Sequence, residues 1–127
     1  MRPASQETAA LARGVGTILE ELDARLVLMW AGEHGTARFL SQNRLSRPIV
    51  AFSEDRNALR GMALHYGVVP VYLEEPPEPE AFMRRAEEIV LAHGWAVGGE
   101  RVVFVLGEPP GSREMGGLVR IHRLGIE

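Results

Sequence analysis

The side chains best suited to bind a ligand or to take part in a reaction lie in one segment, "WAGEHGTAR", which spans residues 30–38. An apolar run precedes it, and residues 36–43 have the pattern of a short helix, so the segment predicts a strand, a glycine-bearing turn and a helix N-terminus. Free N–H groups and the partial positive charge of a helix N-terminus favour a bound phosphate. Alternatively, the turn only joins two elements, and Glu33 satisfies the N–H groups itself.

Other chemistry at the same turn is less consistent with the sequence. Glu33 and His34 beside Thr36 could be interpreted as a base and a nucleophile, but neighbouring residues in a turn rarely aim at one point. The other histidines are dispersed and lack the spacing of metal ligands. We therefore predict no catalytic residue, no metal site and no cofactor, and keep a small enzyme only as an alternative.

Composition excludes several classes of protein. All 14 cationic residues are arginine and there is no cysteine, so a P-loop lysine, a Schiff-base lysine and a thiolate nucleophile are absent. The net charge of -3 does not indicate a basic surface of the kind that binds nucleic acid. Because the sequence has neither a signal-peptide pattern nor an apolar run that could cross a bilayer, we expect a cytoplasmic protein without a membrane partner.

Apolar periodicity divides the chain into alternating helices and strands within one domain, residues 1–127. The predicted strands are 25–30, 47–52, 68–73, 101–106 and 118–124, and the predicted helices are 5–22, 36–43, 53–66 and 78–93. This alternation predicts an α/β fold with a parallel sheet and helices on both faces. The last connection, "GEPPGSREMGG", carries no helix, so we expect the fifth strand to be antiparallel at an edge.

Four residues predict where elements begin, end or lie. Ser5 and Ser53 are expected to cap the first and third helices, and Gly67 is expected just after the end of the third. Pro70 cannot donate to a ladder and therefore indicates that the third strand lies at a sheet edge.

The elements also resemble a known family when they are taken in order. The segments are "MWAGEHGTARFLSQNR", "RPIVAFSED", "HYGVVPVYL", "AHGWAVGGERVVFVLGEPPG" and "GGLVRIHRLG". Their order and spacing, from about Gln6 to the end, are similar to those of the C-terminal domain of pyruvate kinase. The resemblance implies a three-layer α/β/α sandwich, with a mixed five-stranded sheet of order 3-2-1-4-5 and an antiparallel fifth strand.

The same resemblance implies a non-catalytic regulatory domain. In many family members this domain binds a phosphorylated sugar effector between the turn after the first strand and the loop after the fourth. The catalytic groups belong to a TIM barrel, which 127 residues cannot include, and the initiating Met favours a stand-alone relative. The expected site lies between residues 31–36 and 107–117, with Glu33, His34, Gly35, Thr36, Gly107, Pro110, Gly111, Ser112 and Arg113 as its residues.

The sequence departs from the family pattern at this site. Of the hydroxyls in the family's turn only Thr36 remains, and Glu33 replaces one of them. Its carboxylate would repel a phosphate by roughly 1–4 kcal/mol at intermediate dielectric. An arginine that some members carry on the fourth helix falls on Phe82. A turn without a ligand is therefore favoured at this site, and a small anion and the phosphorylated sugar of the family are the alternatives.

The segment "LVRIHRL", residues 118–124, predicts a different kind of site. Arg120 and His122 are expected on one face of this strand and Val119 and Ile121 on the other. Because an edge strand can pair with another chain, we predict a two-fold homodimer through it. The alternatives are a monomer, whose charges protect the edge, and an interaction module that docks on a catalytic partner through this strand or the fourth helix.

Overall fold

The computed structural model describes residues 3–31, 45–106 and 118–125 of the 127-residue chain. In this part of the chain the helices are α1 (Pro3–Leu22), α2 (Arg56–Met62) and α3 (Pro79–His93). The strands are β1 (Leu26–Trp30), β2 (Ile49–Ser53), β3 (Val68–Tyr72), β4 (Arg101–Leu106) and β5 (Leu118–Arg123). The helix predicted over residues 36–43 lies outside the described residues.

The five strands form one mixed sheet in the order β3-β2-β1-β4-β5. Strands β1 to β4 are parallel, and β5 pairs antiparallel with β4. The predicted fold class and strand order are therefore confirmed, as are the edge positions of β3, which contains Pro70, and of β5.

Alternate residues of the strands build two separate cores, one on each face of the sheet. Toward α1, the buried residues Val15 and Leu19 pack in one cluster with Val27 and Met29 of β1. Toward α3, Leu26, Leu28 and Trp30 of β1 pack with the buried face of that helix. Because β1 is buried on both faces, its sequence is continuously apolar, as expected for a central parallel strand.

The core under α3 is organised around Phe82, which is fully buried. Its ring makes edge-to-face contacts with Trp30, Phe52 and Phe104 at centroid distances of 5.8, 5.4 and 6.0 Å. These three rings come from β1, β2 and β4, so one helical side chain contacts three neighbouring strands. The cluster fixes α3 over the middle of the sheet.

Two predicted caps are wrong. Helix α1 begins at Pro3, before Ser5, and proline suits a first helical position because its φ is fixed and it lacks an N–H. Ser53 ends β2, and its hydroxyl accepts a hydrogen bond from the Asp55 N–H at 3.0 Å. The cap of α2 is Asp55, which has extended backbone angles and accepts from the N–H groups of Asn57 and Ala58.

The third predicted helix is also shorter than expected, since α2 ends at Met62 and not near Tyr66. Gly67 has a φ of 71°, and its carbonyl accepts from the Ile49 N–H at 2.8 Å. The chain therefore leaves the helix early to place β3 beside β2. Gly67 serves this turn and does not follow the helix end directly.

Candidate functional site

All nine residues predicted to bind a ligand lie outside the described residues, in segments 32–44 and 107–117. The structure does describe the strand ends from which these segments leave the sheet. Trp30, the last residue of β1, is the register partner of Leu106, the last residue of β4. The two segments therefore start from neighbouring points at the carboxyl end of the parallel strands.

The strand order reverses beside β1: the chain adds β2 and β3 on one side of it and then β4 and β5 on the other. Strand β1 lies between β2 and β4, so connections diverge to its two sides. In open α/β sheets, ligands bind in the crevice at such a point, beyond the carboxyl ends of the strands. Ala31 is held there by its N–H, which donates to the Phe52 carbonyl at 2.9 Å. The strand order therefore gives the place where a crevice is expected, and both the crevice and its ligand contacts stay predictions.

After the neighbouring strand β2, the first N–H groups of α2 already have hydrogen-bond partners. The Asp55 carboxylate accepts from the Asn57 and Ala58 N–H groups at 2.9 and 3.1 Å, so the start of α2 is capped from within the chain. Arg56 lies over the ring of Tyr72, with its guanidinium carbon 4.2 Å from the ring centroid. Sequence reasoning missed both roles, although Asp is among the residues preferred at a helix N-cap.

Helix α3 places a core residue where the family resemblance would put a cation. Phe82 is buried among the aromatic rings, and Arg84 and Arg85 are exposed. Arg85 pairs with Glu88 on its own helix at 2.9 Å. Met83, the next residue of the helix, is also a core residue, because its side chain is buried in the same cluster as Phe82.

The imidazole of His93, at the end of α3, and the indole of Trp95, just beyond it, both have structural contacts. Trp95 stacks on His93 with ring centroids 4.5 Å apart, and it packs against the core under α3. His93 Nδ1 lies 2.9 Å from the Ile89 carbonyl oxygen. Within residues 3–31, 45–106 and 118–125 there is no group of three or more His, Asp or Glu side chains that could hold a metal ion.

Strand β5 is anchored to α3 on one face by side-chain contacts. Arg120 pairs with Glu80 at 3.1 Å and His122 with Glu87 at 3.2 Å. The Gly125 N–H donates to the second oxygen of Glu87 at 2.6 Å. These contacts confirm that Arg120 and His122 share the face toward α3.

The other face and the outer edge of β5 are less covered. Val119 packs against the core under α1, whereas Ile121 on the same face is 48% exposed. The only strand that pairs with β5 in the described part of the chain is β4. Within the described residues, no strand pairs with the backbone groups along its outer side, and an edge of this kind is suited to strand addition.

The strand order defines an open, mixed α/β domain, and comparison with known proteins specifies the family. Residues 9–122 match the family described as "Pyruvate kinase, alpha/beta domain". The chain belongs to this family. The resemblance inferred from the sequence is therefore confirmed.

The matched relatives are much longer than this chain. It is 30% identical over 108 residues to pyruvate kinase of Lactococcus lactis, covering 85% of this chain and 22% of that enzyme. With pyruvate kinase of Lactobacillus delbrueckii it shares 26% identity over 121 residues, covering 95% of this chain and 20% of the enzyme. The chain thus spans about a fifth of the length of the curated relatives that it matches.

Solved structures give the same fold. The structure of Cryptosporidium parvum pyruvate kinase in complex with ADP superposes with a TM-score of 0.82 at 21% identity, covering 92% of this chain and 23% of that one. A second structure of pyruvate kinase from this organism gives a TM-score of 0.78 at 20% identity, with 92% and 22% covered. In addition, none of the helices in the described residues is long and apolar enough to cross a membrane.

Proposed function

We propose that this chain is a non-catalytic regulatory domain that binds a small anionic metabolite in the crevice at the carboxyl ends of β1 and β4. The observation that carries the proposal is the pairing of Trp30 with Leu106, which starts segments 32–44 and 107–117 side by side. Family membership supports the regulatory role, since the chain matches the alpha/beta domain of an enzyme about five times its length. A cytoplasmic location is part of the same proposal.

The ligand-binding residues proposed are those of the two segments. They are Glu33, His34, Gly35, Thr36, Gly107, Pro110, Gly111, Ser112 and Arg113. Thr36 offers a hydroxyl, and Arg113 offers a guanidinium that suits an oxyanion. Glu33 opposes a doubly charged phosphate electrostatically, so the proposal ranks a small anion ahead of a phosphorylated metabolite.

Thermal unfolding in the presence of candidate ligands tests this site. We would compare inorganic phosphate, sugar phosphates, nucleotides and small organic acids at equal ionic strength. A ligand at one hundred times its Kd should add about 2.7 kcal/mol of stability, which raises Tm by several degrees. Thr36→Ala should abolish the response, and Thr17→Ala, on the exposed side of α1, should retain it.

Two results would contradict the proposal. One is the lack of a response to every compound, and the other is a response that Thr36→Ala leaves unchanged. A response that arises only in Glu33→Ser would show that the crevice exists but that the chain closes it with its own carboxylate.

A second candidate function is association through β5. It is supported by the exposed Ile121 and by an outer edge that has no strand partner among the described residues. We propose a homodimer in which two β5 strands pair around a two-fold axis. Light scattering after size exclusion should give twice the 14.0 kDa mass of the chain. Ile121→Lys should give the monomer, and Val97→Lys, at another exposed apolar residue, should not.

If the wild type is a monomer at all concentrations, the homodimer is wrong. Recovery of the monomer with a larger chain bound through β5 would favour the interaction module, in which this domain docks on a catalytic partner.

A further inference from the structure

A polar groove lies at the opposite end of the sheet from the proposed crevice, where β1 and β4 begin and β5 ends. Its volume is about 290 Å³, and it is lined by Leu22, Asp23, Arg25, Gly99, Glu100, Arg101 and Arg123. We name it the arginine groove. Three of its residues carry a guanidinium and two carry a carboxylate, in a chain whose net charge is -3.

The three arginines form a row across adjacent strands. The Arg25 N–H donates to the Arg101 carbonyl at 2.8 Å, and Arg101 is the register partner of Arg123. By strand alternation all three lie on the α1 face of the sheet. Like charges directly opposite each other in an antiparallel pair are destabilising, so the pairing of Arg101 with Arg123 has an energetic cost.

The carboxylates of the groove do not neutralise that pair. Glu100 pairs with Arg25 at 3.2 Å, and Asp23 pairs with Arg47, just outside the groove, at 2.7 Å. In the part of the chain that the structure describes, Arg101 and Arg123 have no carboxylate partner. Each of these two guanidiniums donates to a backbone carbonyl instead, Arg101 to Leu22 at 3.2 Å and Arg123 to Gly99 at 3.1 Å.

These bonds hold the two side chains in place, and among the described residues they use one N–H donor of each guanidinium. A guanidinium carries five N–H donors in a planar fork that matches phosphate oxygens. A doubly charged oxyanion between the forks would offset the repulsion and accept the remaining hydrogen bonds. We propose that the arginine groove binds the phosphate group of a small phosphorylated molecule, at a site separate from the crevice.

An NMR titration with inorganic phosphate tests the proposal. Chloride would hold the ionic strength constant, and the amide signals of Gly99 and Arg123 would report the groove. We expect saturable shifts of these amides in the wild type. Arg123→Gln should raise the Kd about tenfold, because a charge-assisted hydrogen bond and a charge are removed together.

Arg84→Gln, which removes an exposed arginine of α3, should leave the Kd unchanged. Thr36→Ala should also leave it unchanged, and a loss of the groove signals in that variant would assign the phosphate to the crevice and overturn the proposal. Unshifted groove amides, or equal affinity in Arg123→Gln, would also overturn it. If Arg123→Gln does not fold, Arg25→Gln provides the same test, because it frees Glu100 to compete with the phosphate.

Discussion

The contact of Phe82 with three aromatic rings gives the sharpest stability prediction. Replacing a buried Phe with Ala costs about 3–5 kcal/mol, and each edge-to-face pair adds about 0.5–1.5 kcal/mol beyond area burial. Phe82 is fully buried and has three such partners. We therefore expect Phe82→Ala to lower the free energy of unfolding by about 5 kcal/mol, the upper end of that range. Domains of this size have about 5–15 kcal/mol of stability, so Phe82→Ala would be marginally folded.

Urea unfolding followed by circular dichroism measures this cost, provided that the m-value stays unchanged. Phe82→Leu, which fills most of the space but loses the ring contacts, should cost about 2 kcal/mol. Met83→Leu, at the adjacent buried residue, should cost less than about 1.5 kcal/mol. A loss below about 2 kcal/mol for Phe82→Ala at constant m would refute the reasoning, because the site would then not be close-packed.

Smaller changes test the helix ends and the surface. Asp55→Ala removes the cap of α2 and should cost about 0.5–2 kcal/mol in the same urea assay; no loss would contradict the two hydrogen bonds. Gly94→Ala places a side chain at a φ of 70° and should cost about 1 kcal/mol, whereas Gly61→Ala, in open space on α2, should stabilise by a similar amount. Arg120→Ala breaks an exposed ion pair with Glu80 and should cost under about 1 kcal/mol, falling as salt is added; a larger, salt-independent loss would indicate packing instead.

Much of the fold could be predicted because periodicity and order carry it. The continuous apolar runs of β1 and β4 indicate buried parallel strands, and the helix-free last connection indicates an antiparallel β5. The bounds of β4 match the prediction residue for residue. The strand order came from the family resemblance, since periodicity alone does not say which strands are neighbours.

Helix ends were predicted less well, because two nearby residues often offer the same cap. Ser53 and Asp55 both have side-chain oxygens that accept N–H bonds, and only the path of β2 into the sheet decides between them. The arginine groove was not predicted either. Arg25, Arg101 and Arg123 are far apart in sequence, and only the sheet register aligns them.

The two tryptophans give the domain built-in optical reporters at separate places. Trp30 is 5% exposed and lies at the end of β1 beside the proposed crevice, while Trp95 is half-buried against His93 beyond the end of α3. Indole emission responds to solvent access, so a Trp95→Phe variant would isolate the signal of Trp30. That signal would follow ligand entry at the crevice without any attached dye. The complementary Trp30→Phe variant would report on the opposite side of the molecule.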